Sequence, residues 1–250
     1  MRRINLTLPV YNEEAQLAAS VRRVMEALKS EFRRPKAEGE VGWEVVIAEN
    51  GSTDGTWRMA EEVAREFAGV EGVRVTARHR AVAGRGGALK EAWLASGAEI
   101  VSYMDVDLST DLADYPRLLK PLLAGEADVV IGSRLAAGAA VKRSWRREML
   151  SRSYNALLHG ALGLRVKDAQ CGFKALSRAA AERLLPQVAD EGWFFDTELL
   201  WRAQRAGLRI AEIPVRWVED RDTRVRLWPT IWRDVRGVWR LRREARGKRG

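Results

Sequence analysis

The first half of the chain alternates short apolar runs with longer segments in which apolar residues recur at helical spacing. Five apolar runs have the length of buried strands, at residues 4–10, 43–49, 73–77, 99–104 and 127–131. Four segments between them are predicted to be helices, at about 13–34, 56–67, 87–95 and 114–123, and 33–40 is a polar connection. Strands that alternate with helices in this way indicate a mostly parallel sheet with helices on both faces. The pattern therefore predicts an α/β domain.

Polar or glycine-rich sequences follow the first four predicted strands: YNEE at 11–14, NGSTDGT at 50–56, GRGG at 84–87 and DVDLSTD at 105–111. Each has an ordinary local explanation, since Asn-Gly and Asp-Gly pairs make turns and Ser52 or Thr53 could cap a helix. In an open α/β sheet, ligands bind outside the carboxyl ends of the strands. Four such loops at one edge therefore predict a single binding site.

Asp105 and Asp107 directly follow the fourth predicted strand. Residues two apart in a strand point the same way, so both carboxylates can face one object. Such hard oxygen ligands suit Mg²⁺ or Mn²⁺, which commonly take one or two carboxylates together with substrate phosphate oxygens. A lone Asp-x-Asp could also simply begin a polar loop. The neighbouring loops favour the metal interpretation.

The composition is that of a globular protein, with 46% apolar and 31% charged residues in a chain of 250. The single cysteine, Cys171, excludes an intrachain disulfide framework and is expected to be a packed side chain in a reducing compartment. The sequence has no long apolar signal region at its start and no run of ~20 apolar residues. We therefore expect a cytoplasmic protein without a membrane span.

Positive charge is concentrated at the end of the chain. The net charge is +9, and residues 221–250 hold eleven basic and three acidic residues. A nucleic-acid enzyme would more often spread its basic residues around a catalytic groove, so no nucleic-acid partner is expected. A basic end on a nearly neutral domain is instead expected to attach the protein to a surface.

Two segments have the pattern of helices that lie in a membrane interface. Within 227–240, apolar residues fall at 228, 231, 232, 235, 238 and 239, and arginines occupy the opposite side. Residues 142–164 form the second segment, with basic residues leading into an apolar helix. These patterns predict a domain at 1–226 and a membrane-associating tail at 227–250. The alternative is that both helices pack on the domain or form a dimer face, and the oligomeric state stays open.

These motifs resemble the family-2 glycosyltransferases with a GT-A fold. In the first half the matching segments are LPVYNEE at 8–14, NGSTDGT at 50–56, GRGGAL at 84–89 and DVD at 105–107. In the second half, IGSR at 131–134, DAQCGFK at 168–174, WFFDTE at 193–198 and IPVRW at 213–217 resemble the dolichyl-phosphate (polyprenyl-phosphate) branch of β-glucosyltransferases and mannosyltransferases. The likeness extends over about residues 4–242. Glu49 and Asn50 stand where the family commonly has two aspartates, and the C-terminal membrane spans of many relatives are absent from the sequence.

The resemblance implies a nucleotide-sugar donor and a divalent cation, Mg²⁺ or Mn²⁺. Asp105 and Asp107, completed by Ser109, would hold the cation that bridges the donor's diphosphate. The donor would contact Pro9, Tyr11, Glu13, Glu49, Arg85, Asp105 and Arg224, with Arg224 clamping the pyrophosphate.

On the acceptor side, the resemblance implies that Arg134 receives the acceptor's phosphate, because an arginine fork binds phosphate through two nitrogens. A phosphate monoester is mostly dianionic at neutral pH and can attack without a general base. A hydroxyl acceptor would need one, and Asp196 and Glu198 are the candidates. With a phosphate acceptor, these acids and Asp168 would position groups such as Lys174. Helix capping or ion pairing remains an alternative for the acids, and a surface salt bridge for Arg134 and Arg224.

The sequence thus predicts an inverting, metal-dependent transferase that moves a hexose from a nucleotide sugar to polyprenyl phosphate. UDP-glucose is the favoured donor and GDP-mannose is possible. The protein is expected on the inner face of the membrane as a peripheral protein. Asp107, Arg134, Asp196 and Glu198 are the candidate catalytic residues, while His79 and His159 receive no role.

Other functions explain less of the sequence. A transferase acting on a soluble or protein hydroxyl and a non-catalytic membrane-surface protein remain alternatives. A dehydrogenase is disfavoured because no Gly-x-Gly-x-x-Gly follows the first strand. A nucleotide-sugar pyrophosphorylase should carry a glycine-rich nucleotide loop there, where this chain has Tyr11-Asn12-Glu13.

Overall fold

The computed structural model describes residues 2–32, 41–219 and 227–247, without the side chains of 31, 32, 146, 147, 227–232 and 247. The strands are β1 (Arg2–Val10), β2 (Val41–Asn50), β3 (Val73–Arg80), β4 (Ile100–Met104), β5 (Val129–Ser133), β6 (Ala140–Lys142), β7 (Phe173–Ser177), β8 (Ile210–Pro214) and β9 (Arg216–Val218). The helices are α1 (Leu17–Phe32), α2 (Thr56–Glu66), α3 (Arg85–Ala95), α4 (Tyr115–Leu123), α5 (Trp145–Leu162), α6 (Arg178–Leu184), α7 (Phe195–Arg205) and α8 (Leu227–Gly247).

The centre of the molecule is a seven-stranded sheet in the order β3-β2-β1-β4-β7-β5-β8. Strand β7 runs antiparallel to its neighbours β4 and β5, and the other pairings in this sheet are parallel. Strands β6 and β9 form a separate parallel pair. The predicted α/β class with a mostly parallel sheet is therefore confirmed.

Helices cover both faces of this sheet, and each face has a large hydrophobic core. Ile100 and Met104 of β4 pack in one core with α1, α2 and α4. Val101 and Tyr103 of the same strand pack in the other with α3, α5, α6, α7 and α8. Successive side chains of a strand point to opposite faces, so β4 is buried along its whole length.

Several predicted boundaries shift where tertiary contacts intervene. Helix α1 begins at Leu17 rather than near residue 13, because residues 13–16 form a turn after Asn12, whose φ is 56°. Strand β3 continues to Arg80, paired with Asn50 of β2, three residues beyond its predicted end. The predicted polar connection at 33–40 lies outside the described residues. Strand β7 was not predicted as a separate element.

The C-terminal helix was predicted correctly as a helix, and it packs on the domain. Val238 and Leu241 are buried in the same core as α7. Gly237 meets Phe194 so closely that an added Cβ would lie 2.4 Å from the phenylalanine ring. Part of the face predicted to lie on a membrane is therefore covered by the protein itself, while Val235 and Trp239 remain exposed. The membrane role of the tail stays a prediction.

Among the helices described here, none is both long enough and apolar enough to cross a membrane.

Candidate active site

The loops after β1, β2 and β3 are joined to one another at the carboxyl edge of the sheet. Asn50 donates from Nδ2 to the Val10 carbonyl at 2.7 Å and accepts from the Gly84 amide at 3.1 Å. The Asn12 amide donates to Ser52 Oγ at 3.0 Å. The carboxyl-edge loops therefore form one preorganised rim, as the sequence suggested.

The residues proposed to line the nucleotide lie on this rim but differ in accessibility. Tyr11 is exposed, whereas Pro9 is buried within β1. Glu13 accepts from Gln16 Nε2 at 2.5 Å, and its amide donates to Thr56 Oγ1 at 2.7 Å. The role of each in nucleotide binding stays a prediction.

Asp105 and Asp107 follow β4 at the same edge. The Asp105 side chain is 42% exposed, and its Oδ1 accepts from Arg85 Nη2 at 2.8 Å. Asp107 Oδ1 accepts from the Ser109 amide at 2.9 Å. Ser109 Oγ is buried and has no hydrogen-bond partner among the described residues. Two carboxylates and an unsatisfied hydroxyl are oxygen donors of the kind that Mg²⁺ and Mn²⁺ prefer.

The protein supplies only part of a coordination shell at this point. No group of three or more His, Cys, Asp or Glu side chains suited to a metal occurs in the portion of the chain that the structure describes. A divalent ion here would therefore need oxygens from its substrate, which is the usual arrangement for ions that bind phosphates. The residues present fit a divalent cation on these terms.

Gly172 leaves the space that the Asp105 carboxylate occupies. The Asp105 amide donates to the Gly172 carbonyl at 3.1 Å. A Cβ atom at position 172 would lie 1.6 Å from Asp105 Oδ2, far inside van der Waals contact. The position therefore requires glycine because the backbone and the carboxylate approach so closely.

Behind Asp105 lies a buried network of charged side chains. Arg85, the first residue of α3, donates from Nη1 to Asp196 Oδ2 at 2.7 Å while its Nη2 holds Asp105. Asp196 Oδ1 also accepts from the Tyr103 hydroxyl at 2.6 Å and lies 3.1 Å from Lys174 Nζ. Lys174 is completely buried on β7. Asp196 thus has three donors around its two oxygens.

These contacts keep the network ionised despite burial. Burial opposes the ionisation of Asp196, but Lys174 and Arg85 outweigh it and hold the pKa of that carboxyl below its usual value. Burial likewise opposes the charge of Arg85, but Tyr103, Asp105 and Asp196 raise its pKa well above normal. The Asp196 carboxylate is therefore a fixed structural anion that holds two cations in place.

Arg134, which follows β5, is held by a completely buried aspartate. Its backbone amide and Nε donate to Asp168 Oδ2 at 3.0 and 2.7 Å, and Nη2 donates to Oδ1 at 2.9 Å. Burial opposes the Asp168 charge, but Arg134 keeps the pKa of this carboxyl below its usual value. The remaining guanidinium nitrogen, Nη1, makes no hydrogen bond to a described residue. Asp168 therefore occupies the fork that was expected to receive the acceptor's phosphate through two nitrogens, and the acceptor role of Arg134 stays a prediction.

The candidate site contains more negative than positive charge. Arg85, Arg134 and Lys174 provide three positive charges, against four from Asp105, Asp107, Asp168 and Asp196. A divalent cation would change this sum from −1 to +1, which would then suit a diphosphate. Both the charge balance of the site and its oxygen ligands therefore fit a divalent cation.

Glu198 is not brought together with the other candidate catalytic residues. Its oxygens accept from Arg202 at 2.6 Å, from Arg240 at 2.6 Å and from the Asp190 amide at 2.9 Å. Burial opposes its charge, but these donors lower the pKa of Glu198 to about 2. This placement links α7 to α8 and does not fit the general-base role suggested from the sequence. Arg224 lies outside the described residues, so its role stays a prediction.

Three contributors to the site were not recognised from the sequence. Tyr103 was read only as part of an apolar run, although it shares strand parity with Asp105. Trp193 lies against Arg85, with 5.2 Å between the guanidinium carbon and the ring centroid. Gly172 is required by its contact with Asp105, which is separated from it by 67 positions in the sequence.

Comparisons with known proteins agree with this arrangement. The model of the family described as Glycosyl transferase family 2 matches residues 6–185. This range runs from the middle of β1 through β7 and includes the rim loops and the Asp105–Asp107 pair.

Characterised relatives match over most of this chain. Glycosyltransferase AglD of Haloferax volcanii is 39% identical over 94% of this chain and 35% of that protein. Dolichyl-phosphate beta-glucosyltransferases of Dictyostelium discoideum and Mus musculus are 28% and 30% identical, over 86% and 96% of this chain and 66% and 78% of those proteins. The chain therefore spans about a third of the length of the first relative and about two thirds of the second.

Solved structures of glucosyl-3-phosphoglycerate synthase from Mycobacterium tuberculosis share the fold. Its complex with UDP gives a TM-score of 0.63 at 27% identity and covers 96% of this chain and 79% of that one. Its complex with Mn²⁺, UDP and glucosyl-3-phosphoglycerate gives 0.63 at 26%, over 96% and 78%. Because the family model matches well over half of its length, the present chain belongs to glycosyl transferase family 2.

Proposed function

We propose that this glycosyltransferase moves a hexose, glucose in the favoured case, from a nucleoside diphosphate sugar to a polyprenyl phosphate. The observation that carries the proposal is the state of the buried acids. Asp196 and Glu198 are saturated with donors and have lowered pKa values, so neither fits the task of taking a proton from a hydroxyl. An acceptor that needs no general base removes this difficulty.

A phosphate monoester is such an acceptor. It is mostly dianionic at neutral pH, so one of its oxygens attacks the anomeric carbon without first losing a proton. Arg134 binds it through the guanidinium nitrogen that Asp168 leaves over, and Asp168 fixes the plane of the fork. Attack from the face opposite the leaving diphosphate inverts the anomeric configuration.

On the donor side, the chain's own contribution is to hold oxygens in place. Arg85 fixes Asp105, and the Ser109 amide fixes Asp107, so both carboxylates are oriented before the donor binds. These carboxylates with Ser109 would hold Mg²⁺ or Mn²⁺, which would supply positive charge to stabilise the departing diphosphate. Relatives named as dolichyl-phosphate beta-glucosyltransferases support glucose and a lipid phosphate as the pair.

A lipid acceptor also calls for a membrane surface. Helix α5 exposes Trp145, Met149, Leu150 and Leu157, and the adjoining α8 exposes Trp239 beside several arginines. Tryptophan together with arginine is typical of helices in a membrane interface. We propose that these two helices hold the protein on an anionic bilayer as a peripheral protein.

A second candidate is transfer to a small soluble acceptor. It is favoured by the likeness to glucosyl-3-phosphoglycerate synthase, which has been solved with phosphoglyceric acid. Such an enzyme would need a hydroxyl as the nucleophile, and its activity would not require vesicles.

The test is product formation from UDP-glucose and GDP-mannose with a short-chain polyprenyl phosphate, 3-phosphoglycerate and a simple alcohol as acceptors. We expect glucosyl transfer to the polyprenyl phosphate, with the anomeric configuration of the product inverted when it is read by NMR. Faster turnover of either soluble acceptor than of any polyprenyl phosphate would contradict the proposal.

A further inference from the structure

A cavity of about 280 Å³ lies where helices α5, α7 and α8 come together. Its apolar lining belongs to the core that these helices share: Ala161, Leu162, Trp201 and Ala245. Its charged lining consists of three exposed arginines: Arg205, Arg242 and Arg246. None of the described residues that line it is acidic. The cavity therefore combines an apolar surface with charge of one sign only.

This cavity is remote from the candidate active site. Asp196, which belongs to the buried charge network, lies in the first turn of α7, and Arg205 is the last residue of that helix. A helix rises 1.5 Å per residue, so the two positions are ~13 Å apart along its axis. The arginines of the cavity are thus a second group, at the other end of α7 from those that hold Asp105 and Asp196.

The arginines of the cavity have no acidic partner among the residues that the structure describes. Arg202, on the same stretch of α7, shows the contrast: it pairs with Glu198 at 2.6 Å and with Glu244 at 3.1 Å. Arg205 instead lies over the indole of Trp201, with 4.9 Å between the guanidinium carbon and the ring centroid. The hydrogen-bond donors of the cavity are therefore available to an anionic ligand.

Helix dipoles explain these arginines only in part. Basic side chains are favoured in the last turn of a helix, where Arg205 and Arg246 lie. Arg242 lies more than one turn before the end of α8. A dipole also does not require that the basic residues surround a cavity. The arrangement therefore indicates a binding site rather than charge compensation alone.

The cavity continues the surface that we propose to lie on a membrane. On α8, Arg242 and Arg246 follow the exposed Trp239 by three and seven residues, a spacing that places all three on one side of the helix. On α5, Ala161 follows the exposed Leu157 by four residues. A bilayer that contacts these helices would therefore bring its headgroups to the cavity.

We propose that this cavity binds the phosphate headgroup of an anionic phospholipid. The planar arginine fork is permanently charged and pairs with phosphate oxygens through two nitrogens. Basic pockets between helices bind the headgroups of anionic lipids in membrane proteins. The apolar lining receives the glycerol and the first methylene groups of the lipid. The inference rests on the proposed attachment of α5 and α8 to a bilayer, and it adds a saturable site for one class of lipid.

The test is a calorimetric titration of the full-length protein with dihexanoyl phosphatidylglycerol below its critical micelle concentration, so that no bilayer is present. The cavity variant is Arg205→Gln with Arg242→Gln. The matched control is Arg23→Gln with Arg74→Gln, which removes the same charge from exposed positions of α1 and β3. Dihexanoyl phosphatidylcholine and inorganic phosphate are the comparison ligands.

We expect the unchanged protein and the control to bind one lipid molecule per chain. The cavity variant should bind it about tenfold or more weakly, because two charged donors to the phosphate are lost. Phosphatidylcholine, whose headgroup has no net charge, and inorganic phosphate, which has no apolar part, should both bind the unchanged protein more weakly. Vesicles of equal zeta potential should be preferred when their charge comes from phosphatidylglycerol rather than from the carboxylate of cholesteryl hemisuccinate.

Equal binding of the lipid by the cavity variant and the control would overturn the inference. Tighter binding of inorganic phosphate than of the lipid would also overturn it, because the cavity would then be a site for a soluble anion. If Arg205→Gln lowers the thermal midpoint through its contact with Trp201, Arg242→Gln with Arg246→Gln is used instead and should weaken lipid binding by a similar factor.

Failure of this inference can be distinguished from failure of the proposed function. The cavity variant should transfer hexose to a water-soluble short-chain acceptor at the rate of the parent, because the cavity lies away from the active site. Vesicle binding without binding of one lipid per chain would leave the proposed attachment standing and overturn only the headgroup site. Absence of transfer by the unchanged protein would instead contradict the proposed function.

Discussion

Asp105 belongs to two parts of the site at once. Its exposed oxygen surface fits a metal and a donor diphosphate, while Arg85 behind it connects to the buried Asp196 and Lys174. The position of the Asp105 carboxylate is thus determined by the Arg85 guanidinium on one side and by Gly172 on the other. Changes at this point should affect chemistry more than folding.

The metal assignment is tested by Asp107→Asn. An amide keeps the shape of the side chain and its bond to the Ser109 amide but loses the charge that binds a cation. We expect transfer to fall at least a hundredfold, and Mn²⁺ to stop improving UDP affinity in titrations. Asp111→Asn, four residues further on and paired with Arg216, is the matched control and should stay close to full activity. Full activity of Asp107→Asn in excess chelator would exclude the metal role.

Gly172→Ala tests whether the space beside Asp105 matters. The new Cβ would overlap the carboxylate, so Asp105 must turn away from its present position. We expect transfer to drop by at least tenfold while the thermal transition remains cooperative. Gly160→Ala is the control, because a Cβ there meets nothing within 4 Å. In helix α5 that change should stabilise the protein by ~0.5–1 kcal/mol without loss of activity.

The acceptor role of Arg134 is tested by Arg134→Lys. Lysine keeps the charge but cannot both hold Asp168 and offer a further nitrogen to the phosphate, so the KM for a polyprenyl phosphate should rise about tenfold while UDP affinity stays nearly constant. Arg209 provides a matched control, because its amide, Nε and Nη2 hold Asp128 in the same pattern away from the site. Arg209→Lys should leave both constants unchanged. Equal effects on donor and acceptor in Arg134→Lys would argue against a phosphate pocket.

At the scale of secondary structure, apolar periodicity was enough to find β1 to β5 and the helices between them. It could not reveal that β7 lies between β4 and β5 in the opposite direction. The completely buried Lys174 interrupts the apolar run of β7, and its charge is paired with Asp196 of helix α7. Strand order and direction are tertiary properties that the local pattern does not contain.

The same limit applies to the site. Loop position predicted which residues share the rim, because parallel strands end at one edge. It could not predict that Glu49 is covered by His79 or that Glu198 points to α8, since each depends on a partner distant in sequence. For α8, a helix with tryptophans at helical spacing has the same sequence pattern whether it packs on a protein or on a membrane.

The contact between α8 and the domain should depend on pH through Asp234. Burial raises the pKa of this carboxyl to about 6, with Asp190 adding to the effect. The unfolded chain has the ordinary value near 3.9. Protonated Asp234 therefore favours the folded state, and this contribution is present below about pH 4 and lost as the pH rises through about 6. We expect Asp234→Asn to stabilise the protein by ~2 kcal/mol at pH 8, by denaturant titration, and to have little effect near pH 4.

Glu198→Gln should change the stability of the protein in the opposite direction, at the same contact between α8 and the domain. The folded pKa of Glu198, about 2, lies below the unfolded value, so its stabilisation is present above about pH 4.3 and is lost as the pH falls through about 2. The variant should be destabilised at pH 8. If the effect of each variant on the free energy of unfolding does not change with pH, the titration of these carboxyls does not govern the docking of α8.

At the scale of the whole molecule, α5 and α8 contribute buried side chains to the core and exposed side chains to the proposed membrane surface. Leu241 and Val238 are buried in the core, and Arg240 pairs with Glu198, so removal of residues after Val225 should destabilise the domain. If the truncated protein no longer binds membranes, the cause could then be either loss of the attachment surface or loss of the fold. The outward side chains of these helices allow a cleaner experiment, because they can be changed without entering the core.

Membrane attachment is therefore tested by replacing Met149, Leu157 and Trp239 together with glutamine. All three are exposed, so the thermal transition should stay within a few degrees of the parent. Partitioning onto vesicles rich in anionic lipid should fall at least tenfold, because apolar insertion is lost while the arginines, each contributing ~1 kcal/mol near such a surface, remain. The residual binding should weaken further with salt.

The control is Leu94→Gln, which changes an exposed apolar residue at the end of α3 and should bind vesicles as the parent does. Transfer to a water-soluble short-chain acceptor should persist in the triple variant while transfer to a long-chain acceptor in vesicles declines. Unchanged vesicle binding by the triple variant would show that α5 and α8 do not form the attachment surface.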